Sequence, residues 1–434
     1  MELLPILLML LVFFALARLG NRVFERFGIP GLIGEIIVGI LIANVAINGT
    51  TLLDVLGVVM PDPGQESDNT NYSVLYAAAE LGVIFLLFAV GLETRVSDLM
   101  SVGKVAFLVA TLGVIVPFIL GWAFIEFTEF NFHHAMFLAA AMVATSVGIT
   151  ARVIKDMRLM DTHEAKIIIG AAVIDDVLGM IVLAIVKGTA GSGSTSVVGV
   201  ISIIVLAVAF VIGMIAAAKY LVPVIYKRWE TKKQRIIVKT GHAPEGVNML
   251  VVAVICCLAF ACFAEYIGLA AIIGAFLAGM LFADHAWESK LSEKFESITT
   301  IFISFFFLNV GLQVDITQIN SWGVVLTAVV VIVLAVISKY IGCGLGAYLG
   351  EKGIKKDSIN IIGVGMIPRG EVGIIVASIG LNTIVDGQSA LSPELYVVIV
   401  LMAVATTIIA PPLLARVFRK KYPEEYKITA SDKI

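Results

Sequence analysis

Thirteen apolar windows follow one another along this chain, at 4–20, 30–47, 75–92, 104–126, 134–153, 165–186, 197–218, 247–264, 268–283, 297–313, 323–348, 358–380 and 392–417. That succession limits the fold more than any other feature. One helical crossing of a bilayer takes about 20 apolar residues. Within hydrocarbon every backbone N–H and C=O must be satisfied inside the segment, so helices are the repeated solution. Composition agrees, with 59% of residues hydrophobic and 15% charged, where soluble domains carry roughly 25% charged residues. The sequence therefore predicts an all-α polytopic membrane protein of about 13 transmembrane helices embedded in the lipid bilayer. The opening Met1-Glu2-Leu3-Leu4-Pro5 has neither a basic region nor a small-residue cleavage site, and reads as the start of the first span. Cys256, Cys257, Cys262 and Cys343 fall in apolar windows without metal-ligand spacing and read as packing residues. A net charge of −3 gives no reason to expect nucleic acid.

Lys and Arg set the orientation, because basic loops stay cytoplasmic. When loops are assigned alternately to the two sides, all but Lys187, Lys339 and Arg369 of the 30 basic residues fall on one side. The prediction is a cell (inner) membrane protein with its N-terminus outside and its C-terminus cytoplasmic. The polybasic stretch Lys227 to Lys239 reads as a topology signal resting near anionic headgroups.

Span seven separates two sets of six, spans 1–6 and 8–13. Six is even, so the second set enters the membrane with opposite orientation, as two inverted six-helix repeats. Span five carries Ala144-Thr145-Ser146-Val147-Gly148-Ile149-Thr150, and its counterpart, span twelve, carries Gly365-Met366-Ile367-Pro368-Arg369-Gly370-Glu371-Val372-Gly373. Gly, Pro and hydroxyl residues at mid-membrane favour local unwinding, so two discontinuous helices are expected to cross there.

Asp175 and Asp176 lie in the middle of span six. Each carboxylate near a bilayer midplane costs on the order of 2.5–3.5 kcal/mol. Such a pair reads either as a cation and proton site or as two acids satisfied by packing partners. Hard monovalent cations prefer oxygen, which a carboxylate of this pair, the hydroxyls of Thr145 or Ser146 and unwound carbonyls of span five would supply; Thr145 would otherwise bond back to its own helix. Lys339, deep in span eleven, needs a buried partner or must snorkel to the cytoplasm. Arg369 and Glu371 read as charges that satisfy broken helix ends. Glu35 and Glu93 lie near span ends, where hydrated or capping roles are expected, and His133 and His134 fall in an external loop. No nucleophile–base set or metal-ligand cluster points to an enzyme or a cofactor.

Five stretches carry a family resemblance: Pro30-Gly31-Leu32-Ile33-Gly34-Glu35, Phe85 to Thr94 (FLLFAVGLET), Ala144-Thr145-Ser146, Asp175-Asp176, and Pro368-Arg369-Gly370-Glu371-Val372-Gly373. Together they resemble monovalent cation:proton antiporters of the second family, the NapA-type sodium/proton exchangers. The resemblance implies that Asp176 binds the monovalent cation and exchanges it for a proton, and that Asp175 pairs with Lys339. It further implies electrogenic exchange of sodium or lithium for protons, a role in pH homeostasis and a homodimer. The implied domains are a dimer domain at 1–95 and 246–315, a core domain at 96–190 and 316–434, and a linker with a basic loop at 191–245. A potassium/proton antiporter is the nearest alternative; a cation channel or a membrane sensor is the alternative from another class.

Overall fold

A computed structural model of the chain describes residues 3–190, 249–283, 291–314 and 321–423, except 28, 48, 62–67, 130, 268 and 386–387, with scattered positions between 205 and 220. The seventh predicted span, 197–218, lies largely outside the described residues, and the polybasic stretch after it entirely so. The first half contains α1 (Leu3–Arg26), α2 (Gly31–Asn44), the single turn α3 (Leu52–Val55), α4 (Thr70–Leu92), α5 (Val96–Glu129), α6 (Phe132–Val143), α7 (Val147–Asp156) and α8 (His163–Ala190). The second contains α9 (Met249–Tyr266), α10 (Ala271–Phe282), α11 (Leu291–Leu312), α12 (Trp322–Gly350), α13 (Lys356–Gly365), α14 (Glu371–Asn382) and α15 (Pro393–Lys421). Two two-residue hairpins complete the described structure, Ala46–Ile47 with Thr50–Thr51 and Ile384–Val385 with Gln388–Ser389.

Polar residues start several helices where the apolar run begins. Asn69, Asn131, Ser321 and Ser392 accept hydrogen bonds from first-turn N–H groups of α4, α6, α12 and α15, satisfying donors that have no intrahelical partner. Asn131 holds the amides of His133 and His134. These histidines thus belong to the first turn of a capped helix and not to a loop. Large apolar side chains stay exposed along α1 (Leu4, Leu11), α5 (Phe107, Ile119) and α12 (Leu326, Val333), which a lipid solvent accommodates.

Among the described residues, eight segments are long and apolar enough to cross a membrane, with shorter apolar helices at Gly31–Asn44, Ala271–Phe282 and Val372–Asn382. The first span is longer than its apolar window, because the helix continues through its basic end to Arg26. The ninth is shorter, 12 residues. The fifth and twelfth are each two helices, broken at 144–146 and 366–370.

Two sets of helices pack chiefly among themselves. In one, α4 lies against α10 and α11, α2 against α1 and α11, and α9 against α10. In the other, α5 lies against α6, α8 and α12, while α15 packs on α12, α13 and α14. The first set carries an internal echo. Gly34-Glu35-Ile36-Ile37-Val38-Gly39 of α2 matches Gly274-Ala275-Phe276-Leu277-Ala278-Gly279 of α10, and Val90-Gly91-Leu92 of α4 matches Val310-Gly311-Leu312 of α11. The matched glycines meet in pairs, Gly39 with Gly311 and Gly91 with Gly279. A methyl group at any of the four would run into a carbonyl oxygen, of Leu308, Ile36, Phe276 or Phe88 respectively. Small residues let helices in a bilayer approach to backbone contact, and here the same contact is made twice, each time between a helix of the first half and one of the second.

Candidate ion site at the crossing of two broken helices

The break between α6 and α7 consists of Ala144-Thr145-Ser146, and that between α13 and α14 runs from Met366 to Gly370. Pro368 has no N–H to give a helix and disfavours helical geometry at Ile367 before it. The two breaks lie against each other. The Ser146 amide donates to Pro368 O at 2.8 Å, and the Thr150 hydroxyl donates to Gly365 O at 2.6 Å, satisfying the end of α13. Two half-helix N-termini and two C-termini therefore converge at one depth, bringing partial charges of both signs together.

Cations occupy the carbonyl end of α6. Lys339 Nζ, fully buried, donates to Val143 O at 2.8 Å, Gly113 O at 2.9 Å and Asp175 Oδ1 at 2.9 Å. All three of its donors are used. Arg369, also fully buried, donates from NH1 to Val143 O at 3.1 Å and Ala144 O at 3.2 Å, and from NH2 to Ala335 O at 3.3 Å. The Val143 carbonyl thus serves both cations, an arrangement a helix C-terminus favours. Full burial leaves no snorkelling role for Lys339.

Oxygen atoms are left over on the other side of this balance. Among the described residues, Thr145 Oγ1, Ser146 Oγ and Asp175 Oδ2 are buried without a hydrogen-bond partner, an arrangement that costs free energy unless another group uses them. The Thr145 hydroxyl does not bond back to its own helix. Asp176 follows Asp175 on α8 and is half-buried. Glu371 opens α14, but its side chain lies outside the described residues.

Two threonines missing from the sequence reading complete the crossing. Thr406 Oγ1 accepts from the Arg369 amide at 3.1 Å, and the Thr407 hydroxyl donates to Arg369 O at 2.6 Å. Extending the repeat comparison to the last helix of each half would have found them, because Val173-Ile174-Asp175-Asp176-Val177-Leu178 matches Val404-Ala405-Thr406-Thr407-Ile408-Ile409. Glu35 is a correction. It is buried, accepting hydrogen bonds from Asn21 Nδ2 at 3.0 Å and Ser304 Oγ at 2.9 Å with Arg18 NH1 at 3.8 Å, so it is not a hydrated cap. Glu93 does follow the last turn of α4, where it is ion-paired with Lys155.

Long apolar helices, two of them broken and meeting around the buried Asp175 carboxylate and the counter-cations Lys339 and Arg369, define a secondary transporter by architecture. Residues 9–420 match the family described as sodium/hydrogen exchanger, transmembrane. The chain is 33% identical to the high-affinity Na+/H+ antiporter NhaS3 of a Synechocystis species, over 97% of its own length and 91% of the relative's. It is 32% identical to the Na+/H+-K+ antiporter GerN of Bacillus cereus, over 93% and 94%. In fold it resembles the sodium proton antiporter MjNhaP1 of Methanocaldococcus jannaschii, with a TM-score of 0.64, 17% identity and 99% of both chains covered. The chain belongs to the transmembrane sodium/hydrogen exchanger family.

Proposed function

We propose that this protein exchanges sodium for protons across a membrane by alternating access, and that Asp176 is the group both substrates occupy. The observation that carries the reading is the set of partnerless buried oxygens, Thr145 Oγ1, Ser146 Oγ and Asp175 Oδ2, at a crossing where Lys339 has all three donors used and Arg369 has only Nε without a partner. A carboxylate in such low-dielectric surroundings holds a proton or a metal cation, and competition between the two is antiport. Sodium or lithium suits the all-oxygen donor set. Potassium is the second reading, favoured by a 32% identical relative whose name includes it.

Asp175 and Lys339 give the cycle its second proton. Sodium bound beside Asp175 weakens the pull of that carboxylate on Lys339, which then releases a proton. Exchange is electrogenic at two protons per sodium, and each net charge moved is worth about 2.3 kcal/mol per 100 mV. Residues 96–190 and 316–434 act as the moving core, and 1–95 and 246–315 as the dimer-forming scaffold, joined by the linker 191–245. The N-terminus lies outside and the C-terminus in the cytoplasm.

The test is dequenching of a pH-sensitive dye in proteoliposomes after addition of sodium, lithium, potassium or choline, for wild type and Asp176→Asn. Sodium-dependent dequenching abolished by Asp176→Asn is expected. An equal response to choline, or a signal that survives the substitution, contradicts the assignment.

A further inference from the structure

Four charged residues outside the crossing have no part in the cycle above, and they gather at one end of the molecule. Lys155 on α7 is ion-paired and hydrogen-bonded with Glu93 at the end of α4. One turn earlier on α7, Arg152 donates from Nε to Asp156 Oδ2 at 2.9 Å and interacts electrostatically with Glu35 on α2 and Glu296 on α11. The helix α7 belongs to the broken pair, whereas α2, α4 and α11 pack together in the other set. Charge therefore bridges the seam between the two sets of helices at the end where α4 and α7 terminate.

The repeat supplies a control inside the same chain. Matching Val90-Gly91-Leu92-Glu93 with Val310-Gly311-Leu312-Gln313 sets Glu93 opposite a neutral Gln313, and the α2–α10 match sets Glu35 opposite Ala275. Matching Val147-Gly148 of α7 with Val372-Gly373 of α14 sets Arg152 opposite Ala377 and Lys155 opposite Gly380. All four charges are replaced by uncharged residues in the second repeat. The packing is unequal in the same sense. α7 lies against α4, but among the described residues α14 makes no comparable contact with α11. Two repeats that share their broken helices and glycine crossings thus differ at the seam.

We propose that Glu93–Lys155, supported by Glu35 and Arg152, is a one-sided latch that closes the ion pathway at the α4–α7 end and biases the resting protein towards the state open at the other. The proposal rests on the alternating-access reading. If opening at the latch end requires this ion pair to break, weakening it raises the population open at that end. Apparent affinity falls with the fraction of competent state, so the two faces respond in opposite directions.

The experiment measures half-saturating sodium at each face, in vesicles of defined orientation, for wild type, Glu93→Gln and the charge swap Glu93→Lys with Lys155→Glu. A partly exposed ion pair shifts such an equilibrium by about threefold. Glu93→Gln is expected to lower half-saturating sodium at the latch end by about that factor and to raise it slightly at the other, with the swap restoring both. Equal changes at both faces, no change, or a swap no better than the single substitution overturns the latch. A second readout is independent of transport. Hydrogen–deuterium exchange of residues 147–162 should speed up in Glu93→Gln and recover in the swap, while 371–383 stays unchanged; unaltered exchange at 147–162 equally overturns it. Loss of sodium-dependent flux in the wild type with these exchange differences intact would count against the antiport reading and leave the latch standing.

Discussion

Asp175→Asn removes one negative charge and almost no volume, so its effect isolates the electrostatic part of the pair with Lys339. In the wild type, Lys339 Nζ is shared among Gly113 O, Val143 O and Asp175 Oδ1, each at 2.8–2.9 Å, with no exposure to solvent. Asparagine keeps an acceptor there and leaves the ammonium beside the Arg369 guanidinium without its nearest carboxylate. At an effective dielectric of about 20, two unit charges some 3 Å apart interact by roughly 5–6 kcal/mol. Breaking a buried pair from one side costs about 3–5 kcal/mol once the surroundings relax. Lys339→Met should cost about the same, because it removes the donor to Asp175 Oδ1 and to the Gly113 and Val143 carbonyls. The double variant, with neither charge, should cost well below the sum, leaving a coupling of about 2 kcal/mol or more. Unfolding of the purified protein in mixed micelles under titrated denaturing detergent measures all four corners of the cycle. Additive single effects, or an Asp175→Asn cost under about 1 kcal/mol, would refute the reasoning, since Lys339 would then carry no charge that needs Asp175.

Other expectations follow from the same geometry. Arg369→Lys keeps the charge but loses the fork that reaches Val143, Ala144 and Ala335, and should cost about 2–3 kcal/mol in the same assay. Thr407→Val removes the donor to Arg369 O and should cost about 1–2 kcal/mol; a change within a few tenths would show that the clasp is incidental. Gly311→Val drives a side chain into the Ile36 carbonyl and should abolish accumulation of folded protein, which fluorescence-detected size-exclusion chromatography reads directly. Lys339→Gln should move the reversal potential from a two-proton to a one-proton value per sodium; an unchanged ratio would remove Lys339 from the proton count.

Much of this architecture was legible in the sequence because the bilayer leaves so few solutions. Runs of apolar residues have to be helices, and the Gly, Pro and hydroxyl residues around Thr145 and Pro368 mark where those helices break. The value of Asp175, Lys339 and Arg369 as charges was equally plain, since none is tolerated at depth without a partner. What periodicity could not supply was partnership across hundreds of residues. Lys339 and Arg369 converge on one carbonyl of Val143, which is an apolar residue with no signal in its side chain. Thr406 and Thr407 carry no signal of their own, since a hydroxyl in an apolar helix ordinarily bonds its own backbone; their role comes from the Arg369 amide and carbonyl they hold. Glu35 sits near the start of its helix, as a hydrated cap would, and is buried because α1 and α11 bring Asn21 and Ser304 to it.

The dependence of half-saturating sodium on pH, measured at each of several pH values in proteoliposomes, tests most directly whether one carboxylate serves both ions. Competition at Asp176 alone predicts that half-saturating sodium rises by about tenfold per pH unit on the acid side, and the second proton released by Lys339 makes the rise steeper, at a constant maximal rate. A sodium requirement that ignores pH while the maximal rate falls would mean that proton and sodium occupy separate groups, and the account would be wrong at its centre.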